Sequence, residues 1–281
     1  MPSALSFLFV SSRLRGIDYL EVYMRFNSWD VALLIIIPAY ATVMAYIYKP
    51  QVKAVFSIIP IPFTLATLSL GRPVDTTNAA GILLLVVFVH SVRILSARTH
   101  VHILTSIVIS ALGYCVLGSI LAGIIPQTEK AFWLTIVPCF LLGILLFLLS
   151  PGIDEPGYRS PLPVPLKWIV ITLVVFILIV IKKFLLGFMT VFPMVGVIAA
   201  YELRHSLWTY CRNIHVFVVA GSPMMMAMRL AQNRLGLGAA LFAGWAVLLL
   251  IAVPVYFSLF NRPFRMIFFN VTKAQRRKGR R

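Results

Sequence analysis

The sequence predicts an all-α integral membrane protein of about nine transmembrane helices, built as two four-helix inverted repeats joined by a linker helix. Three observations carry this. Of 281 residues, 60% are apolar and only 12% are charged, whereas soluble domains carry about 25% charged residues. The apolar residues gather into runs of membrane-spanning length. The chain also matches itself when slid by 131 residues.

Residues 1–30 form an N-terminal interfacial segment. Their one apolar run, Ala4 to Val10, is far short of the ~20 residues a span needs. It lacks a basic n-region and a small-residue cleavage site, so it does not read as a signal peptide. The mixture of Arg, Asp and Glu with Leu, Tyr and Phe that follows suits a helix lying in the interface, and Met24 is a second candidate start. Spans are expected near 31–48, 54–71, 77–96 and 101–124, which make a first repeat over 31–125. A linker helix at 131–150 and the loop PGIDEPGYRSPLPVP occupy 126–162. Spans near 163–181, 184–201, 206–228 and 236–259 make a second repeat over 163–260, followed by a basic tail at 261–281. Each span must be helical, because a backbone amide in hydrocarbon finds no partner outside its own segment.

The net charge of +17 does not point to nucleic acid. Eight of the 25 Lys and Arg residues lie after residue 260. A basic tail beside a last span marks the cytoplasmic side and rests on anionic lipid headgroups. With nine spans the N-terminus is then periplasmic, in a bacterial inner membrane. Cys115, Cys139 and Cys211 lie in or beside apolar runs without a CxxC, so neither disulfides nor zinc are indicated.

The 131-residue shift places Pro62 on Pro193, Ser91 on Ser222, Arg98 on Arg229, Gly113 on Gly244 and Tyr114 on Trp245. Four spans, one linker span and four more invert the second unit relative to the first. In transporters of this architecture the substrate site lies at the repeat interface near mid-membrane. The segment 187-GFMTVFPMVGV-197 with 222-SP-223, and its first-half counterpart 57-SIIPIPFTL-65, resemble small four-helix bacterial membrane proteins of the GlpM type. That resemblance implies the four-helix unit and supplies no substrate.

None of the eight acids falls in the middle of a span, which argues against a drug exporter driven through an intramembrane carboxylate. His90 and His215 fall inside equivalent spans at positions that do not superpose. His100 and His102 make an HxH that, with His90, has imidazoles suited to a transition metal. No Cys or carboxylate completes a spacing, so no metal and no cofactor are expected. His215, close to Arg212, is a candidate for a pathway facing the bundle interior. Proline-broken helices at matching depth in both halves, here PIP at 60–62 and Pro193, are a sequence pointer to a transport site. The cluster GSPMMMAMRLAQ at 221–232 has no methionine in its counterpart HSVRILSARTHV. Its Met residues therefore read as flexible packing, leaving Ser91, Ser222, Arg98 and Arg229 as the shared positions. Gly113 and Gly244 read as sites of close helix approach. The expected function is transport or export of a small solute. The alternative is a non-catalytic assembly or regulatory component that binds a membrane protein partner. No catalytic constellation is visible, so the chain is not read as an enzyme.

Overall fold

The computed structural model describes residues 26–151, 155–158 and 163–260. Most of the N-terminal segment and all of the basic tail lie outside these. Among the described residues every regular element is a helix, as hydrogen-bond satisfaction in hydrocarbon demands. Helix α1 (Ser28–Tyr46) starts at Asn27, whose side chain and that of Asp30 satisfy each other's backbone N–H groups. A broken pair follows, α2 (Pro50–Ile58) and α3 (Ile61–Leu70). Next come α4 (Thr76–Ala97) capped by Asp75, α5 (Ile103–Ile124) capped by His102, and α6 (Glu129–Leu149) capped by Thr128. Then α7 (Val164–Leu185) leads to a second broken pair, α8 (Gly187–Val191) and α9 (Met194–Glu202). Last is α10 (Leu207–Phe260).

Seven helices are long and apolar enough to cross a membrane when α2 and α3 are taken together. This fits an all-α, multi-pass membrane protein. The expected seventh span falls on α8 and α9, which are short because the chain breaks at Phe192 and Pro193. The eighth and ninth fall within α10. A straight helix of 54 residues would reach about 80 Å, against a hydrocarbon core of about 30 Å. It instead folds back at Gly236, whose φ of 77° and ψ of 171° are not helical and are open to glycine alone at no steric cost. Contacts across the turn confirm the hairpin. Tyr256 Oη donates to Asn213 Oδ1 at 2.9 Å, and Gly244 faces Met224 and Met228.

The Lys182–Lys183 pair, read from sequence as a connection, lies inside the last turn of α7. Successive helical residues point about 100° apart, so Lys182 is buried while Lys183 is exposed. The loop after α6, whose prolines and paired acids suit a solvated linker, is partly docked. Glu155 accepts from the first backbone amides of α10 at Trp208 and Thr209, and Ser206 donates to the Pro156 carbonyl.

Two helix pairs form the centre, and each runs antiparallel. The start of α1 meets the end of α7 through Asp30 and Lys182. The end of α1 meets the start of α7 where the Lys167 ammonium faces the Tyr46 ring. Helix α4 runs against the first arm of α10 (207–235): Val74 meets Gln232 at one end, and Arg93 lies over Trp208 at the other. Helix α6 packs on both, tied by Arg229 to Glu129 at its start and by Trp208 to the Pro151 carbonyl beyond its end.

The Met cluster packs as expected, with a local reason. Met224, Met225 and Met228 are buried, and Met228 lies against Gly244 so closely that an added Cβ would stand 2.8 Å from its sulfur. At Gly113, 131 residues earlier, nothing lies within 4 Å of such a Cβ. Ala97 stands there in place of Met228, and a groove between α4 and α5 stays open, lined by Ser91, Ile94, Ser110 and Gly113.

Candidate functional site

Proline removes a backbone donor and crowds the preceding turn, and both broken pairs stop at one. Pro60 is the residue before α3 and Pro193 the residue before α9. The ungapped shift put Pro62, not Pro60, on Pro193. Pro62 sits within the first turn of α3, where a missing N–H costs nothing. The helix breaks therefore equate Pro60 with Pro193, two residues away from the expected register.

The two breaks face each other across one cavity of about 50 Å³. Its walls include Ser57, Pro60 and Pro62 from the first break, and Thr190, Pro193 and Gly196 from the second. Leu85 of α4 and Tyr210, Ile214 and Phe217 of α10 close it. The last turns of α2 and α8 and the first turns of α3 and α9 contribute to the same wall. Helix starts carry partial positive charge and helix ends partial negative. Apart from Ser57, Thr190 and Tyr210, the side chains around the cavity are apolar. The volume leaves room for a few waters and is well below the ~300 Å³ of drug-sized sites.

The second break is held from below by a polar knot that the sequence reading passed over. Residues 75-DTTN-78 begin α4 and are all buried. Thr77 Oγ1 accepts from Gly187 N at 2.9 Å, and Asn78 Nδ2 donates to Thr190 Oγ1 at 2.8 Å. Four consecutive polar residues opening a span, with Asp at the cap position, were the available signal. Helices α5 and α10 each also send an aromatic hydrogen bond to a broken helix. Tyr114 Oη donates to the Phe188 carbonyl at 2.9 Å, and Trp245 Nε1 donates to Thr64 Oγ1 at 2.8 Å.

At the outer ends of the broken pairs lie two buried ion clusters. Asp30 receives Lys182 Nζ on both carboxylate oxygens at 2.7 Å and accepts from the Ser69 hydroxyl. Glu202 receives Lys167 at 2.9 Å and Lys53 at 3.3 Å, and Lys53 also donates to the Tyr158 carbonyl. The Asp30 and Glu202 side chains are fully buried. Both acids were read as lying at span edges. That holds along the chain, but neighbouring helices cover them.

Among the expected pathway residues, Pro62 and Pro193 line the cavity. His90 and His215 are brought together, with their Nε2 atoms 2.9 Å apart and Ser150 Oγ 2.7 Å from His215 Nδ1. His215 is buried beside the cavity-lining Ile214, and the half-buried Arg212 lies near it. His90 thus pairs with His215 and not with the exposed His100 and His102, and no three metal-binding side chains converge among the described residues. The Ser and Arg positions shared by the repeats diverge. Ser91 lines the α4–α5 groove, away from the cavity. Ser222 is fully buried, its hydroxyl without a partner among the described residues. Arg98 is exposed at the end of α4. Arg229 bonds Glu129 and the Val74 carbonyl, a structural clamp. Compared with known proteins, the chain matches no family model, no curated protein and no solved structure.

Proposed function

We propose that the chain is a carrier for a small polar solute in a bacterial inner membrane, with its site between two inverted repeats. The observation that carries this is the shared cavity: one proline-broken helix from each half lines it. Broken helices meeting at a repeat interface are how many transporters expose backbone groups to a substrate. Nine crossings follow if the pair Gly187–Glu202 is one and the two arms of α10 are two. The antiparallel placement of α1 on α7, and of α4 on the first arm of α10, supports opposite orientations for the two units. So do the reciprocal bonds from Tyr114 and Trp245. On this reading the four-helix unit that the GlpM resemblance implies is used twice.

The experiment is cysteine accessibility at the cavity. With Cys115, Cys139 and Cys211 replaced by Ala, Thr190→Cys is expected to react with a membrane-impermeant thiol reagent from either face of sealed vesicles, because a carrier opens its site alternately. Labelling from one face only would contradict the carrier. A second reading, a component that docks a partner's helix, is favoured by the groove of about 320 Å³ between α4 and α5, since a gap open at Gly113 is filled at Gly244. It predicts labelling from neither face and a membrane protein that co-purifies in mild detergent, lost in Gly113→Leu.

A further inference from the structure

We propose that Ser150, His215 and His90 form a proton-transfer chain that stores one proton between the two halves of the molecule, making the proton the coupling ion. The role as coupling ion rests on the carrier reading; the chain itself rests on geometry. His90 is on α4 and His215 on the first arm of α10, so their contact bridges the halves. The rings lie nearly parallel, 17° apart, and touch through Nε2. Ser150 ends α6 and reaches the far nitrogen of His215. Ser150 and His90 are half-buried, whereas His215 between them is 2% exposed. The chain thus has two half-buried ends and a shielded centre.

A neutral imidazole has one donor and one acceptor nitrogen, which sets the unloaded arrangement. In it Ser150 Oγ–H turns from the Leu146 carbonyl, 2.6 Å away, to donate to His215 Nδ1, His215 Nε2–H donates to His90 Nε2, and His90 keeps its proton on Nδ1. A proton arriving at Ser150 Oγ displaces the hydroxyl's own proton onto His215 Nδ1. The proton on His215 Nε2 then moves to His90 Nε2. Ser150 is again a hydroxyl, His215 is neutral with its proton on Nδ1, and His90 is an imidazolium. Both contacts survive, because Ser150 now accepts, with its own proton on the Leu146 carbonyl, and His90 Nε2–H now donates. Loss of a proton from His90 Nδ1 completes one passage and leaves the tautomers reversed, so the hydrogen bonds must turn over before a second proton enters at Ser150. A second stored proton would set N–H against N–H across the 2.9 Å contact, so the capacity is one. Among the described residues, the charged and titratable groups around the pair are these: Arg93 on α4 facing His90, Arg212 facing His215, Cys211 one turn before His215, Tyr256 on the second arm of α10 beside Arg212, and Glu155 near Cys211. The intramembrane carboxylate that the sequence lacks is replaced in this scheme by an imidazole pair.

The test is nuclear magnetic resonance of the full chain in micelles with 15N-labelled histidine, tractable with five histidines. Between about pH 8 and about pH 5 we expect a 15N–15N coupling across the His90–His215 contact. We also expect uptake of a single proton by the pair, with the coupling retained in the loaded form. His215→Gln keeps a hydrogen-bonding side chain but cannot take the proton, and should abolish the joint titration. If His215→Gln does not fold, Ser150→Ala decides: it should retain the coupling and shift the titration. Two rings that titrate independently would overturn the proposal. So would a coupling that persists with no proton uptake, or a titration unmoved in Ser150→Ala. None of these readouts needs a solute, so a negative result here leaves the accessibility result at Thr190→Cys standing, and the reverse holds.

Discussion

Glu202→Gln is expected to lower the stability of the protein by about 3–5 kcal/mol, the largest single effect we foresee. Glu202 sits between Lys167 at 2.9 Å and Lys53 at 3.3 Å, with side-chain exposures of 0–4% for all three. A glutamine of the same shape keeps the packing and removes the charge, leaving two buried ammonium groups to face each other. Uncompensated charge in a low-dielectric interior is what makes breaking a buried pair costly. The cost is therefore electrostatic, and removing all three charges should recover most of it. Thermal unfolding in detergent of Glu202→Gln, against Glu202→Leu combined with Lys53→Met and Lys167→Met, checks this. A single variant that melts like the wild type would mean the cluster is solvated. Asp30→Asn should act alike at the other end, where Lys182 loses both carboxylate contacts.

Gly187→Ala is the second large effect. A Cβ there would overlap Thr77 Oγ1 and stand 2.6 Å from Asn78 Oδ1. Neither neighbour can easily give way, because Thr77 and Asn78 are hydrogen-bonded to Asp75 and Thr190. Overpacking of this kind costs about 1–3 kcal/mol. It should also shift α8 and with it Thr190, the cavity wall. Gly113→Ala is the control, since nothing lies within 4 Å of its added Cβ, and it should be neutral within about 0.5 kcal/mol. Melting temperatures of the two variants in one detergent decide whether the polar knot is as tight as its geometry implies.

The helices were legible in the sequence because hydrocarbon admits almost nothing else. Two breaks were legible because PIP at 60–62 and Pro193 lie at matching depth, although Pro38, Pro138, Pro223 and Pro254 sit inside helices without breaking them. The cavity-lining Pro62 and Pro193 came from that signal alone. Two things were not legible. Burial of charge depends on which neighbour covers a helix end, so Asp30 and Glu202 read as interfacial until α7, α2 and the loop after α6 were in place. Contacts across the repeat were hidden for a topological reason. Repeat partners advance together along the chain, whereas antiparallel contact partners run in opposite directions. His90 and His215 therefore touch without superposing, while Ser91 and Ser222 superpose and have no role in common. Arg98 and Arg229 diverge because only Arg229 has Glu129 of the linker helix within reach. No internal alignment carries that information.

The central claim is that the two halves sit upside down relative to each other around one site, and topology tests it most directly. Thr99 follows the end of α4, Asn233 lies in the last turn of the first arm of α10, and both are exposed. In sealed vesicles of uniform orientation, Thr99→Cys and Asn233→Cys on the cysteine-free background should react with an impermeant maleimide from opposite faces. Reaction of both from the same face would contradict the inverted arrangement and the site built on it.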